Sequence, residues 1–152
     1  MMRRDPQPII ADLSMSECLG LLTSTPIGRL CVIADEFPLA FPVNYRLVPD
    51  GDGGAALVVR TRPGGVLDQD ATRVGFEIDG IDAATNTGWS VLVRGMLHHA
   101  DASSTPTWLR SWDPRPWIGE RDAWLYITPS EITGRRLLES VMEWSFEWRG
   151  YL

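Results

Sequence analysis

The chain has 152 residues, with 14 basic against 20 acidic side chains and a net charge of −6, and every basic residue is arginine. A chain of that length suits one domain, burying roughly 70% of its unfolded surface on folding, so its core needs no staples. The acidic balance excludes a general nucleic-acid binder and docking on anionic membrane, and no stretch reaches the roughly 18 apolar residues of a membrane span.

The two cysteines, Cys18 and Cys31, make neither a disulfide framework nor a zinc site, and read as reduced core thiols. The start, MMRRDPQPII, is too polar and too proline-rich for a signal peptide, so a cytoplasmic protein is expected. Residues 1–11 read as a flexible lead, 12–137 as the domain and 138–152 as an aromatic tail.

In chain order, a helix comes first. Ser14 and Glu17 form an S-x-x-E capping box, with Leu13 and Cys18 at the staple positions. Met15, Cys18, Leu19 and Leu22 repeat at the spacing of one buried helical face, and Pro26 ends the run. RLCVIA at 29–34 and LAFPVNYRLV at 39–48 are apolar and β-rich. PDGDGG at 49–54 is a strong turn, so 39–48 and AALVVRT at 55–61 are predicted to form a hairpin. A short helix is expected around Val66 to Asp70 after the Pro63-Gly64-Gly65 break. Arg73 to Ile78 and WSVLVRGMLH at 89–98 read as two further strands. Pro106 sits at the N1 position of a second substantial helix bearing Trp108, Leu109 and Trp112. WLYIT at 124–128 returns as a strand, Glu131 to Leu137 follows it, and Trp144, Phe146 and Trp148 alternate in the tail. The sum is an α+β, mainly β, architecture: an antiparallel barrel of five to seven strands with two or three flanking helices. Strands apolar on both faces are expected to be buried on both, against helices or a partner subunit.

Several candidate chemistries are weak. His98 and His99 are strand neighbours, so they point to opposite faces and cannot chelate one ion without a bulge. Ser90 lies mid-strand with no G-x-S-x-G elbow around it. Glu77, Asp79 and Asp82 read as a solvated acidic cluster, not a glycosidase pair. Tyr45, His98 and Arg94 are polar groups on strands expected to line a cleft. The segment Arg60-Thr61-Arg62-Pro63-Gly64-Gly65 says more. It joins a strand end to a glycine break and an expected helix start, offering backbone N–H groups, a hydroxyl and two arginines to a phosphate. A purely structural turn is the alternative.

Taken together, several strings resemble the FMN-binding split-barrel family related to pyridoxamine 5′-phosphate oxidase, in its small, flavin-reductase-like branch. They are GRLCVI at 28–33, PVNY at 42–45, V-V-R-T-x-P-G at 58–64, V-x-F-E-I-D at 74–79, GWSVLVRG at 88–95, and P-W-x-x-G-x-R-x-x-W with I-T-P-x-x-I-T-G-R-R across 116–136. The resemblance implies a six-stranded split barrel that dimerises, with two FMN sites at the subunit interface. It implies that Pro42, Val43, Asn44 and Tyr45 run beside the isoalloxazine and offer backbone hydrogen bonds. It places Arg60 and Thr61 near the ribityl chain and phosphate and Trp89 and Ser90 across from the partner subunit, with Gly64 and Gly65 as further cofactor-binding candidates and Arg62 as a substitute cation for the phosphate. One position departs from the family pattern. Where the family has G-S-K-L, whose serine and lysine hold the phosphate, this chain has Gly64-Gly65-Val66-Leu67. The function implied is a flavin-dependent oxidoreductase passing hydride or electrons to a small substrate, with FMN or a deazaflavin as cofactor. The alternative is a cofactor-free or other-ligand-binding dimer without turnover, and the tail is expected to pack on the barrel or the partner.

Overall fold

A computed structural model describes residues 9–100 and 123–138. The expected helix from Pro106, the loop at 113–122 and the aromatic tail lie outside the described residues. The elements are β1 (Ile9–Asp12), α1 (Met15–Ser24), β2 (Ile27–Ala34), β3 (Phe37–Pro49), β4 (Ala55–Thr61), β5 (Thr72–Asp82), β6 (Thr87–Ala100) and β7 (Ala123–Leu138).

Six strands close an antiparallel ring in the order β7-β4-β3-β2-β5-β6, and β6 pairs back onto β7. β1 is a seventh strand added to β7, running from the end of the expected flexible lead at 1–11 to Asp12, the first residue of the expected domain. The expected strands at 124–128 and 131–137 are one continuous strand. An irregularity at Arg94/Gly95 leaves Ser130 as the extra residue, and its hydroxyl donates to the Arg94 carbonyl at 3.0 Å. The hairpin around 49–54 forms as predicted.

α1 begins with the predicted box: the Ser14 hydroxyl accepts from Glu17 N–H at 3.2 Å, and Glu17 accepts from Ser14 N–H at 2.8 Å. The helix buries Cys18 and Leu22, with Leu19 and Leu21 packed partly against the core. Met15, expected on that face, is 53% exposed. Met15 instead lines an open groove with Leu19, Asp50, Ala55 and Ile132. The core runs from α1 into the barrel through Leu30, Tyr45, Phe76, Val93 and Leu125. β4 is buried on both faces: Leu57 and Val59 look into the barrel, while Val58 packs outside with Val48, Trp124 and Tyr126. No helix among the described residues is long and apolar enough to cross a membrane.

Candidate functional site

The ring is only partly laced. β2 and β5 pair over 29–31 and 75–77, and β3 meets β4 only over 45–49 and 55–59. β3 therefore changes neighbour in mid-strand, because residues 37–44 pair with β2. Along 37–44 the other edge of β3 has no strand partner among the described residues. Tyr45 N–H donates to the Pro26 carbonyl on the β2 side at 3.3 Å. Strand alternation then turns the N–H and C=O of Asn44, and the C=O of Pro42, toward the open edge. Such an edge can hydrogen-bond the polar rim of a flat ligand.

The side chains of this stretch do other work. Pro42 is exposed, Asn44 half-buried and Val43 buried in the core. Tyr45 is 4% exposed, donates its hydroxyl to the Leu22 carbonyl at 2.8 Å, and meets Phe76 edge-on at 4.6 Å between ring centroids. Burial pushes its phenol well above the ordinary value, so Tyr45 is a strut between α1 and the barrel and not an acid or base.

At the end of β4 alternation separates two candidates. Thr61 follows Leu57 and Val59 on the barrel side and is buried, while Arg60 follows Val58 outward, its guanidinium 5.2 Å from the Trp124 ring centroid. Arg62 is exposed.

The loop beyond corrects the sequence-based expectation of a helix at 66–70. Residues 63–71 form successive tight turns and bends. Gly64 takes a left-handed conformation (φ +69°), Gly65 N–H donates to the Arg62 carbonyl at 3.1 Å, and Asp68 N–H donates to the Gly65 carbonyl at 3.0 Å. The Asp68 side chain folds back four residues and accepts from Gly64 N–H at 2.7 Å. That bond replaces helix propagation with a side-chain turn, so no helix end points at the junction. Asp68 Oδ1 also lies 2.8 Å from His99 Nε2, without an aligned hydrogen bond between them. Asp70 accepts from His99 N–H at 2.8 Å, and Gln69 donates to the carbonyls of Ile33 and Val66. In the sequence Asp68 carries no motif, and His99 reads only as the strand neighbour of His98. An aspartate four residues after a proline-glycine break was the signal that could have found the first.

The two histidines do point apart: His98 stacks on Tyr126 and hydrogen-bonds Thr128 at 3.0 Å, while His99 turns to the loop. Glu77 and Asp79 hold Arg29 at 2.6 and 3.1 Å, Asp82 accepts from two N–H groups of the following turn, and Arg94 pairs with Glu131 at 3.3 Å. Burial pushes both thiols up, that of Cys31 with help from Glu77, so neither is an activated nucleophile. Trp89 and Ser90 stand on β6, separated from β3 by β2 and β5. The Trp89 indole lies over Gly80, where a Cβ would come within 2.6 Å of it, and lines an open groove of about 510 Å³ with Ile81, Arg136 and Leu138. One chain thus brings 42–45 and 60–65 to one region and sets Trp89 and Ser90 elsewhere.

Residues 14–136 match the family model described as pyridoxamine 5′-phosphate oxidase. The chain belongs to the pyridoxamine 5′-phosphate oxidase family. It is 31% identical over 144 residues to the uncharacterised protein Rv0080 of Mycobacterium tuberculosis, covering 90% of this chain and 92% of that one. Among solved structures, the FAD-binding protein of Mycobacterium smegmatis is 28% identical, with a TM-score of 0.62 over 86% of this chain and all of that one. A conserved protein of unknown function from Corynebacterium diphtheriae is 25% identical, with a TM-score of 0.70 over 85% of this chain and 98% of that one.

Proposed function

We propose that this family member is a flavin-binding, oxidoreductase-type protein that acts as a homodimer on a small substrate in the cytoplasm. The observation that carries the proposal is the unlaced edge of β3. Its outward groups at Pro42 and Asn44 suit the polar rim of an isoalloxazine, and the M. smegmatis relative is described as binding FAD. Trp89 and Ser90 of a second copy would close the other side of the ring, since their own chain sets them two strands away. The fit is divided. The β3 edge suits the ring system. The turn at 63–66 does not suit the phosphate of FMN, because Gly64 N–H already serves Asp68 and the Val66 side chain offers no donor. Arg62, exposed beside the turn, is a cation that an anionic tail could meet. A bound flavin would supply two-electron redox chemistry, and this chain's part is to hold it and keep water away.

The test is a fluorescence and absorbance titration of purified protein with FMN, FAD, riboflavin and a deazaflavin, with light scattering for the mass. Saturable binding by a dimer supports the reading. A monomer, or a protein that takes up none of the four, sinks it. A second reading, a dimer of the same fold without flavin turnover, is favoured by the carboxylate at the turn. It predicts binding without reduction by an added nicotinamide donor.

A further inference from the structure

We propose that Asp68 is a built-in anion plug, so that this site selects a flavin by its ring and not by its phosphate. The inference rests on the flavin-binding reading above. The turn after β4 is an anion seat by its own construction: a left-handed glycine presents its N–H, with an exposed Arg62 next to the turn. That seat already holds an anion, and the anion belongs to the chain. Asp68 reaches Gly64 N–H at 2.7 Å, and its side chain is only 15% exposed.

The plug is braced from both sides. His99 at the end of β6 lies against Asp68 and binds Asp70 through its backbone, while Gln69 ties the loop to the Ile33 carbonyl of β2. A phosphate reaching the Gly64 amide would meet a carboxylate already there, and the two like charges would lack a lysine to hold them together. Val66, 47% exposed, stands where a cation could have changed that balance. A ligand with a neutral hydroxyl at this end meets no such charge.

Wild type and Asp68→Ala are titrated with riboflavin and with FMN. Wild type is expected to bind the two within about threefold of each other. Asp68→Ala is expected to tighten FMN by about ten- to a hundredfold, the factor one hydrogen bond to a charged group carries, and to leave riboflavin unmoved. A wild-type preference for FMN of about tenfold or more, or an unchanged FMN-to-riboflavin ratio in Asp68→Ala, overturns the proposal. If neither flavin binds either protein, the functional reading falls, and nuclear magnetic resonance still decides the plug. Asp68→Ala must move the Gly64 amide proton upfield, and inorganic phosphate must then shift that resonance in the variant and not in wild type. A Gly64 amide indifferent to the substitution, or equally responsive to phosphate in both proteins, overturns it. Asp68→Asn, which keeps an acceptor for Gly64 without the charge, guards against a collapsed loop. It should bind FMN with an affinity between the other two.

Discussion

Replacing Tyr45 by phenylalanine takes one hydroxyl out of the junction between α1 and the barrel and leaves the ring packing intact. The hydroxyl donates to the Leu22 carbonyl at 2.8 Å, and both residues are buried, at 4% and 1% exposure. Leu22 sits in the last turn of α1, where a carbonyl has no helical donor. Removing its one side-chain donor leaves a buried acceptor without water, at a cost of about 1–3 kcal/mol. For a chain of this size each kcal/mol lowers Tm by roughly 2–4 °C. The same contact gives a second, independent signature. Burial raises the phenol pKa in the folded state, so the stability it confers is fully present below the unfolded phenol value of about 10 and is lost as pH rises beyond it. The loss can reach about 1.4 kcal/mol for each pH unit. Tyr45→Phe has no such group, so its deficit relative to wild type should shrink between about pH 9 and about pH 11. Urea unfolding followed by tryptophan fluorescence at neutral and alkaline pH reads both effects. A neutral-pH difference under about 0.3 kcal/mol, or a deficit that stays constant into alkali, would refute the strut.

Three further substitutions and one truncation test the frame. Gly134→Ala would set a Cβ 2.6 Å from Cys18 Sγ and 2.9 Å from Leu13, prising α1 from β7 at a cost of about 1–3 kcal/mol in chemical unfolding; Gly75→Ala, whose nearest neighbour is 3.6 Å away, should cost far less. Ser14→Ala removes the cap of α1 and should cost about 1 kcal/mol at neutral pH. Backbone and side-chain hydrogen bonds with Ser14 hold the Glu17 carboxyl below its ordinary range, so the cap's contribution is present above that range and fades as pH falls; equal effects at neutral and acid pH would count against it. If Trp144, Phe146 and Trp148 pack across the subunits of the proposed dimer, deleting residues 140–152 should lower its mass in light scattering, and an unchanged mass would discard that role.

Much of the fold was legible because its signals are local. The capping box at Ser14 and Glu17, the turn at 49–54 and the apolar runs of β4 and β6 each concern residues a few positions apart. The opposed directions of His98 and His99 follow from the two-residue period of a strand. The loop at 63–71 was not legible, since glycines and a proline permit both a helix start and a series of turns. What decided between them was Asp68 reaching back to Gly64 and forward to His99, a residue 31 positions along the chain. The buried role of Tyr45 was hidden for the same reason, its partner Leu22 lying on a different element.

By itself the sequence determined the class of architecture and the places where the chain must turn, because backbone conformational preference and apolar period are properties of neighbouring residues. It also excluded a basic surface, and it singled out Val66 as a position without the cation that an anion there would want. The closed order of six strands, the unlaced edge along 37–44 and the carboxylate seated at Gly64 were decided only by tertiary structure. Each depends on which distant strand or side chain arrives to satisfy a given hydrogen-bonding group, and that choice is made when the barrel closes.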